Sequence, residues 1–402
     1  MPSPGKTVYV IGAGFSREAQ FPLQAEILGR VLEFEVDVIG APRHTLEVFL
    51  PAREVIQEFF RRVFGPGLMP SLEDLFTLLD LSIARRESCK GYAWRGLEDV
   101  RDSLKRSILF VFHQAAQQIP VEARSLYQAI GAYLAECRMR AGQDGDPFAV
   151  VSLNWDSLLE DSIFATLNQL PNHGRADIDY TCYTTPLGET TPHTPSLTQK
   201  ARGLYNIKTM KLHGSVNWLV CPNCGRLYTG VGGAEDVWDQ YVLPRACPIC
   251  EQIERPEDGQ AEAAAPSLEP FFITPSFLKV FDNAHIQMTW HNAYIDLAEA
   301  TEVVFIGYSL PEADYHVRTL LRRAIGPGAE IVVVLTRNDN RPRAVPRRLE
   351  GMFPASRFRS FFGHERVRLE LGGVRAYFEN TIGIGSLADR IEEIRRHLEL
   401  VV

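Results

Sequence analysis

The chain has 402 residues, enough for two or three domains or for one large domain carrying insertions. Its hydrophobic (45%) and charged (23%) fractions are those of a globular protein, and a net charge of −8 argues against non-specific nucleic-acid binding by the chain as a whole. No apolar run reaches the length of a membrane span and the N-terminus enters a strand pattern at once, so the sequence predicts a cytoplasmic protein with no signal peptide.

Residues 7–11 (T-V-Y-V-I) form a buried-strand run that ends in G-A-G-F-S at 12–16. A strand, a glycine turn and a helix can make a phosphate cradle, with backbone N–H groups turned outward and no side chain in the way. As a dinucleotide fingerprint it is incomplete, because Arg17 stands where a third glycine would be. Small residues at a helix start are also common without any ligand.

From about residue 45 to 142 the pattern is helical. Val48, Phe49, Val55, Ile56, Phe59, Phe60 and Val63 recur at steps of three and four, and Ser71-Leu-Glu-Asp74 fits a capping box. Segments 97–119 and 121–140 continue the periodicity. These stripes read as core of an all-helical insertion, and their number predicts an oligomer interface.

After the turn cluster 142–147, residues 148–153 (F-A-V-V-S-L) read as a second buried strand with Asn154-Trp155-Asp156 at its end. An amide and a carboxylate there sit where open α/β sheets bind ligands, although both residue types also favour Asx turns and helix caps. A helix follows over Leu158–Leu167, and the Thr- and Pro-rich stretch 180–198 reads as a loop.

Met210 and Leu212 alternate with Thr209 and Lys211, predicting a strand that delivers His213 to its end, with Gly214 turning the chain. Taken alone, such a histidine is more often a hydrogen-bonded structural residue. Cys221-Pro-Asn-Cys224 and Cys247-Pro-Ile-Cys250 follow, with 22 residues between the pairs. That spacing is close to a four-thiolate zinc ribbon, and four thiolates close the coordination sphere, so the ion would be structural. Cys89, Cys137 and Cys182 are scattered, as reduced thiols would be.

Residues 254–266 read as a low-complexity mobile loop and 271–275 as a short strand. A helix is predicted over 288–300, buried strands over 302–306 and 330–335, an alternating edge strand over 366–371 and a charged helix over 387–402. The third buried strand ends in Gly307-Tyr-Ser309-Leu310, and five arginines crowd the loop 337–348. Strand, polar or glycine terminus and helix alternate throughout, which is the doubly wound α/β pattern.

G-A-G-F-S (12–16), S-L-N-W-D (152–156), K-L-H-G-S (211–215), the paired C-P-x-C motifs and G-Y-S-L (307–310) together resemble the sirtuin family, in the sirtuin order. The resemblance implies a Rossmann-like doubly wound parallel sheet with a large helical insertion and a small four-cysteine zinc-ribbon lobe. It implies NAD as the substrate and zinc as a structural ion held by Cys221, Cys224, Cys247 and Cys250. The expected layout is 1–44 for the first strand and glycine-rich NAD loop, 45–142 for the helical insertion and 143–220 for the Asn and His strands. It continues with 221–266 for the ribbon and mobile loop, 267–345 for the completed sheet and 346–402 for a C-terminal strand and helix.

Three departures make the chain look more like the bacterial defence-associated NAD+ hydrolases than the protein deacylases. Arg17-Glu-Ala-Gln-Phe-Pro22 replaces the deacylase sequence after the glycine loop, residues 272–278 replace the F-G-E segment of the acyl-lysine channel, and the helical block is long. By this resemblance Gly12, Ala13, Gly14, Phe15 and Ser16 hold the diphosphate, and Asn154 and Asp156 lie near the nicotinamide ribose. His213 is the general base, with an ordinary pKa suited to neutral pH. Gly307 and Ser309 lie over the adenosine, and Asn338 reaches its ribose. The implied activity is cleavage of NAD+ to nicotinamide and ADP-ribose in an anti-phage abortive-infection response, with a partner such as a hexameric translocase-type ATPase. The alternatives are an NAD-dependent protein deacylase and a non-catalytic NAD or ADP-ribose sensor.

Overall fold

A computed structural model describes residues 5–35, 45–65, 67–142, 144–171, 176–187, 205–230, 239–241, 244–253, 266–279, 281–336, 353–382 and 387–401. The strands among them are β1 (Thr7–Ile11), β2 (Phe148–Ser152), β3 (Ala176–Asp179), β4 (Thr184–Pro186), β5 (Tyr205–Lys211), β6 (Gly214–Val220), β7 (Leu227–Thr229), β8 (Glu269–Phe272), β9 (Glu302–Ile306), β10 (Glu330–Val334) and β11 (Val367–Glu370). Seven of them form a sheet in the order β11-β10-β9-β1-β2-β5-β3, and every pairing in it is parallel.

A parallel sheet is covered on both faces, so its strands are apolar at consecutive positions and not only at alternate ones. Val8, Val10, Ala149, Val151, Val303, Phe305, Ile331 and Val333 lie in one core cluster, while Tyr9, Ile11, Phe148, Val150, Val304, Ile306, Val332 and Val334 lie in the other. The helices are α1 (Gln24–Glu33), α2 (Leu50–Val63), α3 (Leu72–Arg85), α4 (Trp94–Gln117), α5 (Val121–Arg140), α6 (Leu158–Leu167), α7 (Pro248–Ile253), α8 (Ala284–Glu299), α9 (Tyr315–Ala324), α10 (Pro354–Phe362), α11 (Gly373–Ile382) and α12 (Leu387–Val401). Ala293 and Leu297 of α8, Val317 and Leu321 of α9 and Phe358 of α10 cover the first face. Leu126 and Ile130 of α5, Leu159 and Ile163 of α6 and Phe378 of α11 belong to the second cluster.

The helical region is large, as the periodicity implies. Ser71 caps α3, its hydroxyl accepting from Asp74 N at 3.0 Å. Helices α1 to α4 pack on one another, whereas α5 packs on α6 and α12 and against β5. Helix α5 is therefore a cover of the sheet, although its sequence continues the helical block. Its Gly131 makes the crossing with α6 close: a Cβ there would sit 2.6 Å from the Ser162 carbonyl carbon.

Four short strands make a second sheet in the order β4-β7-β6-β8. The stretch 180–198 thus contains a strand, β4, which pairs in parallel with β7. Its T-T-P sequence hides it, since proline is tolerated only at a sheet edge or end. Helix α11 was likewise not legible from sequence. At the amino ends of the main strands, Asp146, Asp296 and Glu299 come close enough to hold an ion, but Lys6 fills that position, with Nζ 2.6 Å from Asp146 and 2.8 Å from Glu299. Lys208 adds contacts at 2.7 Å to Asp146 and 2.9 Å to Asp296.

Candidate active site at the carboxyl edge of the sheet

Ile11, Ser152 and Ile306 stand side by side in register, and Ser152 faces Lys211 across the next pairing. Gly12, Asn154, His213 and Gly307 therefore leave the ends of four neighbouring strands at one edge. This is the carboxyl edge, where open α/β sheets take their ligands.

Two of these exits touch. Gly12 N donates to Ile306 O at 3.0 Å, Gly14 N to Gly307 O at 2.8 Å and Phe15 N to Gly12 O at 2.8 Å. A Cβ on Gly12 would lie 2.8 Å from Gly307 O, and one on Gly307 would lie 2.0 Å from Phe15 N. Glycine is required here for the close approach of two backbones. The N–H groups of Gly12 and Gly14 are used within the protein and are not turned outward, which differs from the cradle expected of the sequence. Phe15 is buried against Tyr127, ring centroids 5.3 Å apart, so its side chain belongs to the core. Ser309 is exposed beyond the contact, and Asn338 lies outside the described residues. Gly307 also has φ +65. Gly307→Ala should lose the roughly 1–2 kcal/mol of a left-handed non-glycine residue, and overpacking should remove about 1–3 kcal/mol more. Urea unfolding measures the loss; an unchanged midpoint would contradict the packing argument.

Ser16, Asn154 and Asp156 form a buried chain. Asn154 Nδ2 donates to Ser16 Oγ at 3.3 Å, and Ser16 Oγ lies 3.0 and 2.9 Å from the two oxygens of Asp156. Asp156 Oδ1 also accepts from Leu158 N at 3.2 Å, next to the start of α6. Burial raises the Asp156 pKa, an effect opposed by Lys211 nearby. Its carboxylate is an internal anchor that fixes Ser16 and, through it, Asn154. The Asn154 side-chain oxygen is buried and has no hydrogen-bond partner among the described residues. Buried acceptors are almost always paired, so this oxygen fits a ligand donor.

Lys211 is fully buried, although alternation with Met210 predicts a polar face; both faces of this sheet are covered. Its Nζ lies 2.8 Å from Glu160 Oε1 and donates to the Asp156 carbonyl oxygen. The residue thereby ties β5 to the turn carrying Asn154, a role that strand alternation does not reveal. Lys211→Met should cost about 3–5 kcal/mol because it strands the Glu160 charge. Adding Glu160→Gln should recover most of that in a double-mutant cycle; a purely additive double variant would sink the pairing.

His213 is nearly buried. Its Nδ1 faces Leu153 O at 3.4 Å, and its Nε2 faces Lys279 Nζ at 3.3 Å. Burial, then the Lys279 charge, push its pKa from 6.5 down to about 4. The ordinary range expected of the sequence does not hold, and the imidazole is neutral at pH 7. The unfolded chain takes up this proton first, so the residue's contribution to stability is complete above pH 6.5 and is lost as pH falls toward 4.

The four cysteines of the two C-P-x-C motifs converge, all sulfurs within 4.8 Å of one another. Cys221 and Cys250 sulfurs are 3.7 Å apart, and those of Cys224 and Cys247 are 3.8 Å apart. Zinc–sulfur bonds of about 2.3 Å in a tetrahedron give edges of about 3.8 Å. The donor set fits a structural zinc ion with no open position. Burial raises the Cys247 pKa, but bonds from the Tyr228 hydroxyl and from backbone outweigh it and bring it to about 7.

A cavity of about 330 Å³ lies elsewhere, between α1 and α4, lined by Gln20, Arg30, Phe34, Val111 and Gln118 among others. It shares no residue with the strand-end site. Among the described residues no helix is long and apolar enough to cross a membrane.

The fold and the strand-end site define a parallel α/β protein with a polar, ligand-type edge and a four-cysteine lobe. No family model and no curated protein matches the chain. Solved structures similar to it include one described as the structural basis of sirtuin substrate affinity, at 14% identity and TM-score 0.37 over 94% of this chain and 92% of that one. Another, a Sir2 homolog–NAD complex, is similar at 13% identity and TM-score 0.36 over 98% of this chain and 90% of that one.

Proposed function

We propose that the carboxyl edge of the main sheet binds NAD+ and cleaves its nicotinamide–ribose bond with water. The observation that carries this reading is the unpartnered, buried Asn154 oxygen, held between the Ser16 loop and the strand end that bears His213. A ribose hydroxyl or an attacking water donates to Asn154 Oδ1. Asp156 positions Asn154 through Ser16 and also places negative charge near the ribose, where positive character develops as the bond breaks. Nicotinamide leaves a cationic linkage as a neutral molecule, so no covalent nucleophile is needed. His213 Nε2 takes the proton from the hydroxyl or the water. Zinc bound by the four thiolates supplies folding energy to the lobe and takes no part in these steps.

We extend the proposal to the sirtuin-like, defence-associated reading. NAD+ depletion then serves abortive infection, in a cytoplasmic homo-oligomer whose helical face meets a partner, such as a hexameric translocase-type ATPase. Light scattering at micromolar concentration tests the oligomer; a monomer counts against it. The activity is tested by incubating the protein with NAD+, alone and with the products of neighbouring genes, and following products by mass spectrometry. Nicotinamide with ADP-ribose is the expected result. Nicotinamide released only alongside deacylation of an acetyl-lysine peptide would replace the hydrolase by a deacylase, and no release under any condition would remove the reading.

A further inference from the structure

Lys279 lies seven residues beyond the end of β8, in a stretch that begins beside His213 and returns to it. Ile273 N donates to His213 O at 2.8 Å, and Trp155 Nε1 donates to Ile273 O at 3.1 Å. Midway, Phe277 N donates to Thr77 Oγ1 of α3 at 3.0 Å, and the Ser276 side chain hydrogen-bonds Asp80 of the same helix. At its end Lys279 Nζ lies 2.9 Å from Asp314 Oδ1 and 3.3 Å from His213 Nε2, and Tyr308 donates to the other Asp314 oxygen at 2.9 Å. The Lys279 and Asp314 side chains are 11% and 10% exposed, so water screens this contact weakly.

An ammonium group only donates. Nε2 is therefore the accepting nitrogen, and the proton of the neutral imidazole is on Nδ1, facing Leu153 O. We propose that Lys279 is a positioning residue that masks the base nitrogen of His213, so that a substrate hydroxyl reaches Nε2 only after the lysine withdraws. This rests on the NAD+-cleaving reading of the site for what His213 does, but not for the contact itself. The proton balance is simple. With Lys279 in place the Nε2 lone pair is occupied; with Lys279 drawn away it accepts a proton from a ribose hydroxyl or water and becomes imidazolium, facing the Asp314 carboxylate. The charged and titratable groups that face the ring are Lys279, Asp314 and His316, with Trp290 beside it at 6.4 Å between centroids. Because the same segment is fastened to α3, displacement of the helical region pulls on the mask. This gives the site a route to low basal activity.

The test uses the full chain labelled with 15N-histidine, whose ten histidines are resolved by NMR and whose His213 signal is assigned by its absence in His213→Asn. The wild type should show the Nδ1–H tautomer. Lys279→Met and Lys279→Gln should each raise the His213 midpoint by about one pH unit or more, while Lys279→Arg should keep it. The two neutral variants should also cleave NAD+ faster than the wild type without a partner, with the acid limb of kcat/KM moved up in pH. An unchanged midpoint and tautomer in both neutral variants would overturn the mask, and so would a raised midpoint with slower turnover. A raised midpoint with no NAD+ cleavage by any variant would leave the mask standing and remove the proposed activity instead. Where the methionine variant does not fold, the glutamine variant decides.

Discussion

Asn154→Ala is expected to lower the turnover of NAD+ by about a hundred- to a thousandfold, the range found when one preorganised hydrogen-bonding group is removed from a reaction centre. The fold should survive. The substitution deletes a buried oxygen that has no partner, which relieves a desolvation cost, and it gives up only the 3.3 Å bond to Ser16. A single neutral hydrogen bond contributes about 0.5–1.5 kcal/mol, so the unfolding midpoint should move little. The pattern of fallen kcat with near-native stability separates a ligand-facing amide from a structural one, since a structural amide would show the reverse. Stopped nicotinamide release measured beside urea unfolding gives both numbers. Wild-type turnover in the variant would leave the orphaned oxygen without a role and remove the proposed chemistry.

The same edge shows what a sequence can and cannot disclose. The glycine loop and Asn154-Trp-Asp156 each follow an apolar run and His213 follows an alternating one, all local patterns, so their places at strand ends are legible. The use of the glycines was less so. Their close approach joins residues 12–14 to residue 307, a contact that no local pattern encodes. Asp156 fits both a ribose contact and a helix cap in sequence, and the hydrogen bonds give the anchoring role at Ser16 and Leu158 N. Nothing local links Lys279 and Asp314 to the imidazole, since they lie 66 and 101 residues beyond His213 in the chain. Their effect on the imidazole, which moves its pKa away from neutrality, was invisible for the same reason. Lys211 was misread by the rule of alternation, which presumes one wet face where this sheet has none.

Chelation of the metal, or Cys221→Ser, should unfold the cysteine lobe and silence the strand-end site with it. Bound zinc should be found at about one equivalent per chain, because the four sulfurs leave no vacant corner. Cys221, Cys247 and Cys250 join the larger core cluster together with Val216, Leu219, Tyr228, Leu268 and Phe272. A smaller cluster is formed by Cys182, Trp218, Leu227, Ile273 and Ile286, and structural zinc contributes an apparent 10–16 kcal/mol (roughly) in small ribbons at neutral pH. The loss reaches His213 through covalent continuity: β6 begins at Gly214, which pairs with Phe272, and Ile273 N holds the His213 carbonyl at 2.8 Å. Metal removal should therefore abolish NAD+ cleavage although zinc touches no reacting atom. Acid should do the same. Thiolates are the ligands, so falling pH returns protons to sulfur and weakens the site. Metal analysis by mass spectrometry, circular dichroism and turnover should fall together along one titration. Full activity in a metal-free chain would break the link between the lobe and the histidine strand.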